Sequence, residues 1–261
     1  MQLKGARVLL TGASGGLGQA LAQQLAQAGA HLLLAGTRPD TLNALRERLP
    51  GTHAVVAADL TQAQGLADVC EAARGWGITV LINNAGLGGF AWFAQQNPED
   101  LDKVLQTNLL APIRLSRAVL PLLQSQPESA IVNIGSVFGS LPFPGFAAYS
   151  SAKAGLRGFS QALRRELAGT GLHVIHVAPR AIDTAFNTPA VQALNRALGT
   201  RADRPDQVAA RVLHALRTQR AETCLGFPER LFAWLNGLAP GLVDRGLAGK
   251  VPVIKKHANQ P

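Results

Sequence analysis

At 261 residues, 47% hydrophobic and 16% charged, the sequence has the composition of a soluble globular protein, and no 18-residue stretch is apolar enough to predict a transmembrane helix. Cys70 and Cys224 are too few and too far apart for a disulfide framework or a zinc site, and the six histidines are scattered, so no metal centre is predicted. The formal charge of +9 is uneven, −1 over residues 1–100 and +5 over each of 101–200 and 201–261, yet without a basic run or nucleic-acid motif, so a solvated basic face is expected rather than nucleic-acid binding.

The opening "MQLKGARVLLTG" enters an apolar strand directly, which predicts no secretory leader and a reduced, cytoplasmic setting. Short branched apolar runs follow at 6–11, 31–36, 53–58, 78–83, 130–135 and 172–177. Amphipathic stretches at 17–28, 39–49, 61–74, 98–124 and 147–168 alternate with them. Such alternation predicts an α/β fold, a doubly wound parallel sheet with helices on both faces, whose ligand sites lie in the loops after the strands.

The first of those loops reads "TGASGGLG", from Thr11 to Gly18. A glycine-rich turn that opens a helix lets backbone N–H groups and the helix dipole approach a pyrophosphate. Farther on, "AAYSSAK" holds the only tyrosine of the chain, Tyr149, four residues before Lys153. On a helix the two share a face, and a nearby ammonium favours the phenolate, which suits a proton donor working near neutrality. By itself the pair fits a half-buried tyrosine beside a solvated lysine equally well.

Taken together, the glycine turn, "NNAG" at 83–86, Asn108 in "TNLLAP", Ser136 in "IGSVFG" and the Tyr149–Lys153 pair resemble the short-chain dehydrogenase/reductase family over roughly residues 5 to 225. The resemblance implies a single Rossmann domain at 1–225 with a seven-stranded sheet; the chain continues past it, and 226–261 is expected to form an amphipathic helical extension packed on the same domain. The resemblance also implies the catalytic tetrad Asn108, Ser136, Tyr149 and Lys153. Tyr149 would be the general acid/base, Lys153 would lower its pKa and bind the nicotinamide ribose, Ser136 would bond the reacting oxygen, and Asn108 would hold a water.

For the cofactor, the resemblance implies contacts from Gly12, Ser14, Gly16, Leu17 and Gly18, from Asp59 and Leu60 at the adenine, from Asn84, and from Ile182 and Thr184 at the carboxamide. NAD-dependent members often end the second strand with an aspartate; here Gly36 stands there, followed by Thr37 and Arg38. Without that carboxylate a 2′-phosphate meets no repulsion and Arg38 can pair with it, so NADP is expected, with NAD as the alternative. The family's glycine after the sixth strand is replaced by Arg180, which brings a cation near the site.

The loops expected around the pocket carry Phe90, Trp92, Phe93, Phe138, Phe143, Phe146 and Phe186, which points to an apolar small-molecule carbonyl or alcohol. A 3-oxoacyl thioester reductase and a cofactor-binding regulator without turnover are the competing readings. By resemblance a homodimer is expected, through 98–124 and 147–168. In the tail, Leu231, Leu235, Leu238 and Leu242 line one side of a helical pattern bent at Pro240, with Arg245, Lys250, Lys255 and Lys256 after it. Packing against its own domain, or over the pocket as a lid, is the plainer reading of this tail; peripheral attachment to an anionic membrane is the other.

Overall fold

Val8, Leu9 and Leu10 expose no surface, as a central parallel strand covered on both faces requires. They belong to β1 (Arg7–Thr11) of the computed structural model, which describes residues 1–258. Then follow α1 (Gly16–Gln27), β2 (His31–Gly36), α2 (Pro39–Arg48), β3 (His53–Ala57), α3 (Ala63–Trp76) and β4 (Val80–Asn83). The second half continues through α4 (Pro98–Leu105), α5 (Ala111–Gln124), β5 (Ser129–Ile134), α6 (Ala147–Glu166), β6 (Leu172–Ala178), α7 (Pro189–Ala197), α8 (Pro205–Arg217) and β7 (Glu222–Cys224). It closes with α9 (Glu229–Leu238), α10 (Pro240–Ala248) and α11 (Val251–Ala258). The last three residues of the 226–261 extension lie outside the described residues.

All seven strands are parallel, in the order β3-β2-β1-β4-β5-β6-β7. The order reverses between β1 and β4, so the loops after these two strands open side by side at the carboxyl edge, where such sheets bind ligands. Leu10, Leu21 and Leu32 pack on one face of the sheet, and Leu9, Leu81 and Leu115 on the other. The Rossmann-type reading of the sequence is what the chain adopts.

Two departures from the sequence reading have local causes. The stretch 98–124 is not one regular helix: a π-turn at Gln106–Leu110 separates α4 from α5. There the Ala111 N–H donates to the Gln106 carbonyl five residues back, and Pro112 has no N–H to give the Asn108 carbonyl four residues back. In the tail, Pro240 opens α10 at its first turn, where a fixed φ and a missing N–H cost nothing, and the chain forms a third helix, α11. Among the described residues no helix is long and apolar enough to cross a membrane.

Candidate active site

The turn between β1 and α1 is shaped by close backbone approach. Gly12 has φ +61°, and a Cβ there would stand 2.7 Å from Ala85 Cα. One on Gly18 would meet the Gly12 carbonyl at 2.2 Å, and one on Gly16 the Thr184 methyl at 2.6 Å. Only glycine fits at these three positions without displacing a neighbour. Gly15 precedes α1 and no side chain caps the helix, so its first-turn N–H groups, those of Gly16, Leu17 and Gly18 among them, have no side-chain acceptor. A helix N-terminus in that state draws an anion such as a pyrophosphate.

At the end of β2, Arg38 Nη2 donates to the Ser14 carbonyl at 2.8 Å, which brings the guanidinium to the rim of the glycine turn. On the other side, the Ser14 hydroxyl would lie 3.3 Å from a Cβ at Gly36. Ser14 and Arg38 thus bracket the position where an aspartate would have repelled a 2′-phosphate. Thr37 is exposed beside them. After β3, Asp59 Oδ1 accepts from the backbone N–H and hydroxyl of Thr61, which turns Leu60 inward to a half-buried position.

The loop after β4 is stapled to the glycine turn. Asn84 Nδ2 donates to the carbonyls of Thr11 and Gly12 at 3.0 and 3.1 Å. The Thr11 hydroxyl, which sequence reasoning did not single out, accepts from the N–H groups of Asn84 and Ala85, both at 3.0 Å. Asn108 sits in the π-turn with no exposed surface. Its Nδ2 donates to the carbonyls of Leu87 and Val104 at 2.8 and 3.0 Å, and its Oδ1 accepts from the Leu87 N–H at 3.2 Å. A Cβ on Gly86 would stand 2.8 Å from Asn108 Oδ1 and 3.9 Å from Lys153 Nζ, so all three meet behind the loop.

Ser136 follows β5 in extended conformation, with Oγ accepting from the Phe138 N–H at 3.2 Å. Tyr149 and Lys153 stand one turn apart near the start of α6, both buried. Lys153 Nζ donates to the Ile134 carbonyl at 2.9 Å and lies 5.7 Å from the centre of the Tyr149 ring. Burial pushes the Tyr149 phenol up to about 12, and a hydrogen bond with Ser136 pulls the other way. Burial also brings the Lys153 ammonium down to about 8. In the chain alone, loss of water around the phenol therefore outweighs the pull of the lysine expected from the sequence.

Of the aromatic residues read as a pocket, five gather. Phe138, Phe146 and Phe186 surround Tyr149 with ring centres 6.4, 6.2 and 6.2 Å from its own. Phe90 packs on Phe146 at 4.8 Å and Phe143 on Phe138 at 5.3 Å. Trp92 and Phe93 lie elsewhere: Phe93 is 62% exposed, and Trp92 carries the Lys255 ammonium 5.4 Å above its ring.

After β6, the Ile182 carbonyl accepts from Asn187 Nδ2 at 2.6 Å, and Thr184 rests against Gly16. Arg180 turns to Asp203, bonding Oδ1 through Nη2 at 2.6 Å and Nε at 3.0 Å, with Glu229 of α9 at 3.4 Å. Hydrogen bonding to Asp203 foremost raises its pKa. The cation is thus spent on holding the loop after β6 to the tail.

Behind the site runs a polar row that sequence reasoning missed. Asn83, Asn133, His176 and Glu222 are in-register neighbours on β4, β5, β6 and β7. Asn83 Nδ2 donates to Asn133 Oδ1 at 2.8 Å and to the Ser116 hydroxyl of α5 at 3.1 Å. Asn133 Nδ2 donates to the Ser160 hydroxyl of α6 at 2.8 Å. Glu222 accepts from Arg157 and Gln161 of α6. The helix that carries Tyr149 and Lys153 is thereby pinned to the sheet through side chains. The only trace in the sequence is a polar residue inside each of several apolar strands.

The sequence matches the short chain dehydrogenase family over residues 6–195. It is 34% identical over 186 residues to a 3-oxoacyl-[acyl-carrier-protein] reductase of Vibrio cholerae, which covers 70% of this chain and 76% of that protein. Among solved structures it is similar to a bulky-bulky ketone specific alcohol dehydrogenase from Comamonas testosteroni, with a TM-score of 0.76, 32% identity and 92% and 94% of the two chains covered. It is also similar to a short-chain dehydrogenase from Sphingobium yanoikuyae in complex with NADPH, with a TM-score of 0.78, 31% identity and 92% and 95% covered.

Proposed function

This chain belongs to the short-chain dehydrogenase family, and within it we propose a reductase of bulky apolar ketones, run in the opposite sense as an alcohol dehydrogenase. It is an NAD(P)-dependent oxidoreductase of carbonyl and CH–OH groups, with NADP as cofactor. The observation that carries the substrate class is the wall of Phe138, Phe146 and Phe186 around the Tyr149 ring. An apolar ketone gains there by leaving water, whereas a charged substrate would lose its hydration. The similarity to a ketone-specific alcohol dehydrogenase supports the same reading.

The residues fit the cofactor. The glycine turn holds a tight course that a Cβ at Gly16 or Gly18 would disrupt, and the uncapped start of α1 supplies N–H donors for a pyrophosphate. Arg38, Thr37 and Ser14 would hold the 2′-phosphate. Asp59 and Leu60 would border the adenine, with Asn84 keeping the floor in place. Lys153 would bind the ribose hydroxyls, and Ile182 and Thr184 the carboxamide. When bound, the reduced cofactor supplies a hydride to the carbonyl carbon.

Tyr149 holds its proton throughout the neutral range because burial raises its pKa, and gives that proton to the carbonyl oxygen. Ser136 donates a hydrogen bond to the same oxygen and steadies the charge that develops on it. Asn108 braces the loop beside Lys153, and its backbone carbonyl, to which Pro112 offers no N–H, would hold a water leading to solvent. The aromatic wall excludes water from the reacting carbonyl.

A 3-oxoacyl thioester is the second reading, favoured by the similarity to the Vibrio cholerae protein. A panel of bulky ketones, small ketones and acyl thioesters, followed by loss of NADPH absorbance, separates the two. Highest kcat/KM on bulky apolar ketones supports the first; turnover of thioesters alone replaces it. NADPH binding with no turnover of any member would indicate a regulator. Pairing of two copies is inferred at the groove between α4 and α6, lined by Phe93, Leu101, Leu105, Ala147 and Ala148, and sedimentation equilibrium tests it.

A further inference from the structure

The tail divides into two parts of opposite character. α11 is packed inward, with Ile254 fully buried in the cluster that contains Phe146 and Tyr149. α9 buries no residue, and α10 only Val243. On and just before these two helices, Phe227, Leu231, Phe232, Trp234, Leu238 and Leu242 are between 46% and 74% exposed. The other large apolar side chains comparably exposed among the described residues are Leu87, Phe93, Phe186 and Val253. Leu231, Trp234 and Leu238 recur at intervals of three and four and share one face of α9. An apolar patch so concentrated marks an interaction surface.

Its charges say what the surface meets. Arg230 lies one turn from Trp234 on the same face of α9, and Arg245 one turn from Leu242 on α10. Lys250, Lys255 and Lys256 follow, all exposed. The acidic residues of this segment are Glu229, which is paired with Arg180, and Asp244. The patch thus alternates bulky apolar groups with cations. An anionic lipid surface has the complementary arrangement, acidic headgroups over hydrocarbon. Its apolar groups project from a loop and two helices. A bilayer accepts such protrusions wherever they fall, while a protein partner must offer a matching pocket to each.

We infer that α9 and α10 dock this protein on anionic membranes, with Trp234, Leu238 and Leu242 entering the interface and Arg230 and Arg245 meeting the headgroups. α11 continues from this surface to Ile254 beside the Tyr149 cluster, so an apolar substrate dissolved in the lipid lies next to the candidate pocket. The docking holds whatever carbonyl compound the site reduces.

Sedimentation of the full chain with phosphatidylglycerol-containing vesicles, against pure phosphatidylcholine vesicles, tests the inference. Binding to the anionic vesicles is expected at low salt and should weaken as salt rises. Trp234→Ser with Leu238→Ser should lower vesicle affinity by roughly tenfold or more while NADPH binding stays unchanged. If that pair of substitutions disturbs folding, Arg245→Glu with Lys250→Glu, at exposed positions, should abolish the preference for anionic vesicles. Three outcomes overturn the inference. One is full-length protein that stays in the supernatant at low salt. Another is sedimentation that survives the loss of Trp234 and Leu238. The third is an oligomer that falls apart in that variant, which would give the face to a second copy of the chain.

Discussion

Arg38 and Ser14 are joined by a 2.8 Å hydrogen bond from the guanidinium to the backbone carbonyl, across a gap of 24 residues in sequence. The bond holds a cation at the mouth of the glycine turn, beside a Gly36 that offers no carboxylate. Arg38→Ala should weaken NADPH binding by roughly 1–3 kcal/mol, the range for a charge-assisted contact, and leave NADH almost unchanged. Fluorescence titration with both cofactors measures this, and equal losses would show that Arg38 only supports the turn.

On the proposed mechanism, Tyr149 and Lys153 should set the pH dependence of turnover. The phenol, raised to about 12, remains protonated as acid for carbonyl reduction, while the ammonium, lowered to about 8, is charged below that value and neutral above it. The kcat/KM for reduction should therefore be level below about pH 7 and fall as pH rises through about 8. Lys153→Met should be slower and lack that fall. Tyr149→Phe should lower kcat by at least ~100-fold with NADPH binding retained. Near-normal turnover by that variant would remove Tyr149 from its role.

His176 makes the fold sensitive to acid. Its ring is buried, neither nitrogen is hydrogen-bonded within the described residues, and burial lowers its pKa from 6.5 to about 4. The unfolded chain protonates this ring first as pH falls, so the stability that its neutral form supports is present above about pH 6.5 and lost toward pH 4. The loss should amount to about 3 kcal/mol. Denaturant midpoints across this range should fall more steeply for the wild type than for His176→Gln.

Gly135 owes its identity to the same ring, since a Cβ there would stand 2.2 Å from His176 Nε2. Gly135→Ala should destabilise the protein by roughly 1–3 kcal/mol through overpacking. Combined with His176→Ala, it should cost clearly less than the sum of the two single changes, because the smaller side chain vacates the space. Strict additivity in a double-mutant cycle would refute the contact.

The glycine turn, the tyrosine–lysine pair and the strand–helix alternation were legible in the sequence because each rests on local chemistry, and the NNAG loop was legible through its resemblance to the family. A turn needs glycine at set positions, a helix face repeats every three to four residues, and strands repeat every two. The interrupted helix at Asn108 also had a visible local cause in Pro112. What only the tertiary structure decided depends on contacts between distant segments. β7 is three residues long and exists because β6 offers it an edge. The row Asn83, Asn133, His176 and Glu222 comes from strand register, which no spacing along the chain encodes. The direction of the Tyr149 shift turned on burial by Phe138, Phe146 and Phe186, residues from three separate segments, which outweighs a lysine one turn away. In the tail, the apolar pattern of the three helices reads alike in sequence. Packing against the Tyr149 cluster buries Ile254 of α11 and leaves the face of α9 bare, because burial is a property of the neighbours a side chain finds.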